Sequence, residues 1–92
     1  LTKQGAAEYG RHGIRVNCIS PGWHLGTRLA GSESSKEQRK EFKQLLASKT
    51  PMKRTGEPKE LKGLLLYLAS DASSFVSGQI IAHDGGWNCW RC

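Results

Sequence analysis

The sequence contains no run of about 18 or more apolar residues, the length that a membrane-spanning helix requires. It also lacks a positively charged segment followed by an apolar one, so no secretory signal peptide is visible. Charged residues make up 24% and hydrophobic residues 37% of the 92 residues, a balance typical of a globular chain rather than a disordered one. We therefore expect a cytoplasmic protein with no membrane partner.

Cysteine is scarce, with three residues in the chain. Cys18 falls in an apolar run and is interpreted as a small buried hydrophobic residue. Cys89 and Cys92 form a terminal Cys-x-x-Cys, which leaves a zinc site or a redox pair open. Because the chain has no second Cys-x-x-Cys and no matching histidine spacing, we favour a tail that packs through Trp87 and Trp90, and we expect no metal.

Long stretches of one charge sign are also absent, although the formal net charge is +6. The basic residues are spread along the chain, with acidic residues between them, and no run of five basic residues occurs. Neither a zinc-finger nor a helix-turn-helix pattern is present. The pattern favours solvated helix faces over nucleic-acid binding, so no nucleic-acid partner is expected.

The first helical pattern has no start signal. Leu1 to Tyr9 are predicted to form a helix that ends at Gly10 and Gly13, yet no residue precedes Leu1 to act as an N-cap. Such a helix begins in the middle of its pattern. We therefore interpret residues 1–92 as the C-terminal segment of a single domain whose N-terminal part is missing.

Two short apolar runs predict β-strands, from Ile14 to Ile19 and from Gly78 to His83. The first ends at Pro21-Gly22, within a loop predicted from Ser20 to about Ser32, and the second ends at Asp84-Gly85-Gly86. In open α/β sheets, ligands bind beyond the carboxyl ends of the strands. The residues from Pro21-Gly22 onward are therefore the first place to expect a site.

Two helices are predicted between these strands. Ser34 to Ala47 places three apolar residues on one face, and the pair Thr50-Pro51 ends it. A second helix begins near Pro58, ends near Ser70-Asp71 and has leucines at helical spacing, so we expect it to be buried on most sides. A strand–helix–helix–strand order predicts a right-handed crossover between parallel strands. Since two strands do not make a stable parallel sheet, further strands are expected upstream or in another chain.

Several short motifs occur together in a recognisable order. As a set they resemble the C-terminal part of the short-chain dehydrogenase/reductase family, and the resemblance covers all but the last few residues. It implies a doubly wound, parallel-sheet Rossmann-type α/β fold, NAD or NADP as cofactor, a small-molecule alcohol or ketone as substrate, and a homotetramer or homodimer. The motifs are Leu1-Thr2-Lys3, Ala7-Glu8, Gly13-Ile14-Arg15-Val16-Asn17, Ser20-Pro21-Gly22, Arg54-Thr55-Gly56-Glu57-Pro58, Leu68-Ala69-Ser70-Asp71-Ala72-Ser73, Ser77-Gly78-Gln79 and Asp84-Gly85-Gly86.

By this resemblance, the catalytic groups of the family fall upstream of Leu1. These groups are its Tyr-x-x-x-Lys pair, its serine and asparagine, and its glycine-rich phosphate loop. Tyr9 does not match the catalytic tyrosine, because the residue four positions later is Gly13 rather than lysine. No catalytic residue is therefore expected in this segment.

The resemblance does place binding residues on the segment after the first strand. Pro21, Gly22, Trp23, His24 and Thr27 are the candidates for cofactor binding, beside the nicotinamide. Trp23, His24 and Arg28 are the candidates for substrate binding, and residues 28–50 correspond to a lid over the substrate. Four residues separate Gly22 from Thr27, where family members often have three.

The residues beside these motifs also bear on the substrate. Pro21 to His24, together with Trp87, look most like family members that act on sugar acids and polyols, such as gluconate 5-dehydrogenases and 2-deoxygluconate 3-dehydrogenases. The choice between NAD and NADP stays open. The alternative function is a non-catalytic fragment or relative that serves as a binding or assembly module.

Overall fold

The computed structural model describes residues 1–24 and 36–91 of the chain. Its regular elements are helix α1 (Thr2–Tyr9), strand β1 (Cys18–Pro21), helix α2 (Lys36–Lys49), helix α3 (Leu61–Ala69) and strand β2 (Ile80–His83). Short 3-10 helices extend or connect these elements. Within the described ranges, none of the helices has the length and apolar character needed to span a membrane.

The two strands form a parallel sheet, in which Cys18 pairs with Ile80 and Pro21 with His83. The carboxyl ends of β1 and β2 therefore lie side by side. Helices α2 and α3 occupy the chain between the two strands, as a parallel connection requires. The predicted α/β class and the predicted parallel pairing are both confirmed.

The predicted strand boundaries were wrong by several residues. Strand β1 begins at Cys18 rather than Ile14 and includes Ser20 and Pro21, which were predicted to lie in a loop. The Cys18 N–H donates to the carbonyl of Gln79, just before β2, at 2.8 Å, and the Gly22 N–H donates to the His83 carbonyl at 3.0 Å. Since hydrogen-bonding direction alternates along a strand, Pro21 occupies a position that faces the other edge. There its missing N–H interrupts no bond to β2.

The segment before β1 is held by side chains instead of a strand ladder. Asn17 donates from Nδ2 to the Val76 carbonyl at 3.0 Å and accepts at Oδ1 from the Gln79 N–H at 3.1 Å. The Ser77 hydroxyl accepts from the Val16 N–H at 3.1 Å. These bonds fix the register of the two segments before the regular sheet begins.

Arg15 connects this segment to the end of α3. Its Nη1 donates to the Ser73 hydroxyl at 2.9 Å and to the Val76 carbonyl at 3.3 Å. Its Nη2 donates to the carbonyls of Leu68 and Ser70, at 2.9 and 3.3 Å. All four Nη hydrogens are therefore used at a helix C-terminus, where the last carbonyls lack partners and a positive charge is favourable.

Helix α3 begins as predicted but is less buried than predicted. Pro58–Glu60 form a 3-10 turn with a capping box between Glu57 and Glu60, and α3 continues from it. Leu65 and Leu66 are 60% and 71% exposed, so the expectation of burial on most sides is wrong for the described residues. The leucine spacing identified a helix with apolar residues on several faces, but spacing alone does not show which faces have neighbours.

Helix α2 ends at the predicted place. Thr50 follows its last residue, is buried, and donates its hydroxyl proton to the Leu46 carbonyl at 2.7 Å. Of the predicted apolar face, Leu46 is buried, whereas Phe42 is 36% and Leu45 50% exposed. The predicted start at Ser34 lies outside the described residues. The end of α2 thus turns toward the carboxyl ends of the two strands.

Candidate functional site

A pocket of about 350 Å³ lies at the carboxyl ends of β1 and β2. Three parts of the chain form its wall: the residues after β1, the segment from Thr50 to Glu60, and the end of β2 with the turn that follows it. The lining residues are Trp23, His24, Thr50, Met52, Arg54, Gly56, Glu60, Ala82, His83, Asp84, Gly85 and Gly86. This is the sheet edge at which the sequence predicted a site.

His24 is the most enclosed side chain of the predicted site, with 8% of the residue exposed. Its Nδ1 lies 3.1 Å from the Gly22 carbonyl oxygen. Its backbone forms an isolated parallel bridge with Gly56, whose N–H donates to the Trp23 carbonyl at 2.9 Å. A Cβ on Gly56 would lie 2.7 Å from His24 Cδ2, so a glycine is needed here for the imidazole to fit.

His83, the last residue of β2, contacts His24 directly. His83 Nδ1 lies 3.0 Å from His24 Nε2, and the ring centroids are 5.1 Å apart. The ring planes differ by 27°, which allows a hydrogen bond close to both planes. The two strand ends are therefore joined by a pair of hydrogen-bonded imidazoles.

The charged groups of the opposite wall neutralise one another. Arg54 Nη1 and Nη2 donate to Glu60 Oε1 and Oε2 at 2.7 and 3.0 Å, a two-point pairing. The pKa of Glu60 is lowered to about 2, first by the Arg54 hydrogen bond and then by the backbone N–H of Glu57, with smaller electrostatic contributions from Arg54 and His83. The same pairing raises the pKa of Arg54. Both groups are therefore charged near neutral pH.

The lowered pKa of Glu60 predicts how stability changes in acid. Because the folded-state pKa of about 2 lies below the ordinary value of 4.5, the contribution of Glu60 is present in full above pH 4.5. It is lost as the pH falls from 4.5 through about 2. We expect Glu60→Gln to unfold more easily than the unsubstituted protein near neutral pH, with a difference that disappears toward pH 2 in denaturant titrations.

Glu41→Gln is the matched control, since Glu41 is exposed on α2 and forms no ion pair within the described residues. It should leave the pH dependence of unfolding unchanged. A Glu60→Gln protein whose stability difference stayed constant down to pH 2 would contradict the assignment.

Asp84 organises the turn after β2. Its carboxylate accepts the N–H groups of Gly86 at 3.0 Å and Asn88 at 3.2 Å. Gly85 and Gly86 have φ values of 63° and 89°, which glycine adopts without strain. A Cβ on Gly22 would lie 2.7 Å from Asp84 Cβ and 2.8 Å from its Cα. The absence of a side chain at Gly22 therefore allows β1 to approach this turn.

Trp23 stands at the outer side of the pocket within a group of aromatic rings. Its ring meets Phe42 of α2 edge-on at a centroid distance of 5.9 Å and Trp87 at 6.3 Å. Such edge-to-face pairs are favourable beyond their buried area. Trp23 itself remains 39% exposed, so one part of the ring is open to solvent.

The structure brings together the described part of the predicted site. Trp23 and His24 line the pocket, and Pro21 and Gly22 lead directly into it. Thr27, Arg28 and Cys92 lie outside the described residues. Residues 29–35 of the predicted lid also lie outside them. Cys18 is half-buried and Cys89 exposed, both as free thiols. In the portions of the chain that are described, no cluster of three or more metal-ligating side chains occurs.

Sequence reasoning missed His83, Arg54 and Glu60 as pocket residues. Arg54 was noted only as part of a motif, and Glu60 only as a charge at a helix start. His83 carried a usable signal, because it is the last residue of a predicted strand and precedes Asp84-Gly85-Gly86. Its position beside His24 depended on the strand register, which the sequence pattern misplaced.

Comparison with known proteins agrees with this architecture. Residues 1–88 match a family model described as enoyl-(acyl carrier protein) reductase. The chain is 45% identical to a ribulose-forming D-arabinitol 2-dehydrogenase of Scheffersomyces stipitis, over 98% of this chain and 32% of that protein. It is 40% identical to a gluconate 5-dehydrogenase of Gluconobacter oxydans, over 94% and 32%.

A solved structure shares the fold. A short-chain type dehydrogenase/reductase from Mycobacterium marinum superposes with a TM-score of 0.79 at 44% identity, over 96% of this chain and 32% of that one. The parallel sheet and these matches define an α/β chain with a Rossmann-type fold. The chain belongs to the short-chain dehydrogenase/reductase family. It spans about a third of the length of the relatives named above.

Proposed function

We propose that this chain is the C-terminal segment of a Rossmann-type domain in an NAD- or NADP-dependent oxidoreductase. The enzyme would transfer a hydride between the nicotinamide and a small-molecule alcohol or ketone, a polyol or a sugar acid. The observation that carries this proposal is the pocket at the carboxyl ends of two parallel strands, where Trp23 and His24 lie. Relatives named for D-arabinitol and gluconate support the substrate class.

The backbone after β1 fits the carboxamide of a nicotinamide. Within the described residues, the N–H groups of Trp23 and His24 donate to no backbone oxygen, although they lie beside the pocket. Such N–H groups are the donors that an amide oxygen of a ligand requires. We propose that Pro21, Gly22, Trp23 and His24 hold this part of the cofactor. A bound nicotinamide would supply the group that accepts or donates the hydride.

The side chains of the same segment suit the substrate side of the site. Trp23 is fixed by Phe42 and Trp87, so it presents a rigid apolar wall that excludes water. We propose that Trp23 and His24 contact the substrate, that Thr27 adds a cofactor contact and Arg28 a substrate contact, and that residues 28–50 cover the substrate. The catalytic tyrosine and lysine of the family are proposed to lie outside this chain.

We also propose a cytoplasmic homotetramer or homodimer in which β2 lies at a subunit interface. Within the described residues, β2 pairs with β1 along one edge and has no strand on the other. Ile80, at the start of β2, is 58% exposed. An open strand edge with an apolar side chain is a common place for a second subunit to associate.

The experiment that tests the proposal uses the product of the full reading frame. We expect it to reduce NAD⁺ or NADP⁺ in the presence of D-arabinitol, galactitol or D-gluconate, measured by the absorbance of the reduced nicotinamide. Trp23→Ala should raise the KM for the substrate about tenfold or more, because a hydrophobic wall is lost. Tyr67→Ala, on the exposed part of α3, is the control and should leave KM unchanged.

A protein that bound neither nicotinamide and oxidised none of these alcohols would contradict the proposal. The result would instead support a non-catalytic binding or assembly module.

A further inference from the structure

The hydrogen bonds of the two histidines determine where their protons lie. A carbonyl oxygen only accepts, so His24 Nδ1, 3.1 Å from the Gly22 carbonyl, carries a proton. A neutral imidazole has one N–H, so His24 Nε2 bears a lone pair and accepts from His83 Nδ1 at 3.0 Å. His83 therefore has its own lone pair on Nε2.

Four other polar side chains of the pocket already have hydrogen-bond partners. Arg54 and Glu60 bond to each other at two points, and the Asp84 carboxylate accepts two backbone N–H groups. The Thr50 hydroxyl donates to a carbonyl of α2. Across residues 1–24 and 36–91, His83 Nε2 has no hydrogen-bond partner, although His83 lines the pocket. This nitrogen is therefore left to accept a hydrogen bond from a ligand.

The charged side chains of the described lining disfavour an anion. Arg54 contributes one positive charge, while Glu60 and Asp84 contribute two negative charges. Glu60 remains ionised throughout the neutral range because its pKa is about 2. Among the described residues, the arginine and carboxylate side chains that line the pocket are therefore net negative.

We infer that His83 Nε2 accepts a hydrogen bond from a substrate hydroxyl and that His24 is the positioning residue that fixes the tautomer of His83. The pocket then takes a neutral polyol in preference to a sugar-acid anion. This inference rests on the proposed function and narrows its substrate class. A hydroxyl group donates to the lone pair. A carboxylate, which only accepts, would face that lone pair and the two pocket carboxylates.

The test compares kcat/KM for D-arabinitol and D-gluconate in the product of the full reading frame. The unsubstituted protein should prefer D-arabinitol near neutral pH, so the ratio of kcat/KM for D-arabinitol to kcat/KM for D-gluconate should lie above unity. His83→Phe keeps a planar ring but removes Nε2, so kcat/KM for D-arabinitol should fall about tenfold, mainly through KM. The value for D-gluconate should change much less. The control is His12→Phe, at the exposed third histidine, which should leave the ratio unchanged.

Two variants of His24 test its positioning role. His24→Leu removes the acceptor for His83 Nδ1, so the ratio should fall. His24→Gln places an amide oxygen where it can accept from His83, and should restore the ratio in part. A role in packing alone would predict no such rescue. Circular dichroism and unfolding curves establish whether each variant is folded. If His24→Leu does not fold, the result for His83→Phe alone tests the inference.

The outcomes separate the inference from the proposed function. Two outcomes would overturn the inference and leave the proposed function standing. One is oxidation of both compounds with a preference for D-gluconate at neutral pH. The other is a His83→Phe variant with the same ratio as the unsubstituted protein. If no nicotinamide-dependent activity is found, the binding of D-arabinitol is measured by calorimetry and tests the inference instead. Binding that His83→Phe weakens supports the inference, and binding that is absent or unaffected by His83→Phe overturns it.

Discussion

Replacing Gly22 with alanine is expected to lower the free energy of unfolding by about 2 kcal/mol and to weaken cofactor binding. A Cβ at this position would lie 2.7 Å from Asp84 Cβ and 2.8 Å from Asp84 Cα. Both atoms belong to or adjoin the backbone, so the contact is not relieved by rotating a flexible side chain. The end of β1 and the turn after β2 must separate instead.

This separation also affects the site. The Gly22 N–H donates to the His83 carbonyl at 3.0 Å, and the Gly22 carbonyl accepts from His24. A shift of Gly22 therefore moves both imidazoles and the backbone of Trp23 together. Denaturant unfolding of the full reading-frame product measures the loss of stability, and the KM for the nicotinamide measures the effect on the proposed cofactor site.

Gly63→Ala is the matched control for this substitution. Gly63 lies inside α3, and a Cβ there would meet no atom within 4 Å. Alanine should raise the free energy of unfolding by about 0.5–1 kcal/mol, because glycine is a poor helix former. A Gly22→Ala protein as stable as the unsubstituted one would show that β1 does not approach the Asp84 turn as closely as described.

Arg15→Met is expected to cost about 3 kcal/mol of folding stability. The guanidinium uses all four Nη hydrogens, and its partners lie on a helix end and on the approach to β2. Methionine retains much of the apolar stem but removes the charged donor, so within the described residues the carbonyls of Leu68 and Ser70 keep only their bonds from Ser73. Hydrogen bonds to charged groups are each worth about 1.5–3 kcal/mol, and bonds that share one side chain do not add fully.

Arg15→Lys distinguishes charge from geometry. An ammonium keeps the positive charge at the helix C-terminus but cannot reach four acceptors from one planar group. Its loss should be smaller than that of Arg15→Met but still measurable in denaturant unfolding. Arg11→Met, at an exposed arginine, should change stability by less than about 0.5 kcal/mol. Equal stabilities for Arg15→Met and Arg11→Met would contradict the structural role of Arg15.

Local pattern predicted the helices better than the strands. The end of α2 was placed correctly because the effect of Pro51 on the preceding residue is local. The start of α3 was also correct, since Pro58 and the Glu57–Glu60 capping box act within one turn. The limits of a strand depend on a partner strand far along the chain. Pro21 was predicted to end the strand, but its nitrogen lies on the edge of β1 that does not pair with β2, so the strand includes it.

Part of the site followed from sequence order. The strand that ends at Pro21-Gly22 placed Trp23 and His24 at a sheet edge, and both line the pocket. His83 and Arg54 were not predicted, because they are 59 and 30 residues from His24 along the chain and no local pattern links them. The hydrogen bond between the two imidazoles depends on a pairing register of Pro21 with His83.

The sequence by itself determined the α/β class, the parallel crossover, the family and the position of Trp23 and His24 after β1. These follow from short-range chemistry: apolar spacing, proline and glycine positions, and an ordered set of motifs. Only the tertiary structure decided the hydrogen bond between the two imidazoles and the pairing of Arg54 with Glu60 on one wall of the pocket. These properties arise from distances of about 3 Å between side chains, which are set by strand register and loop packing rather than by any residue's neighbours in the chain.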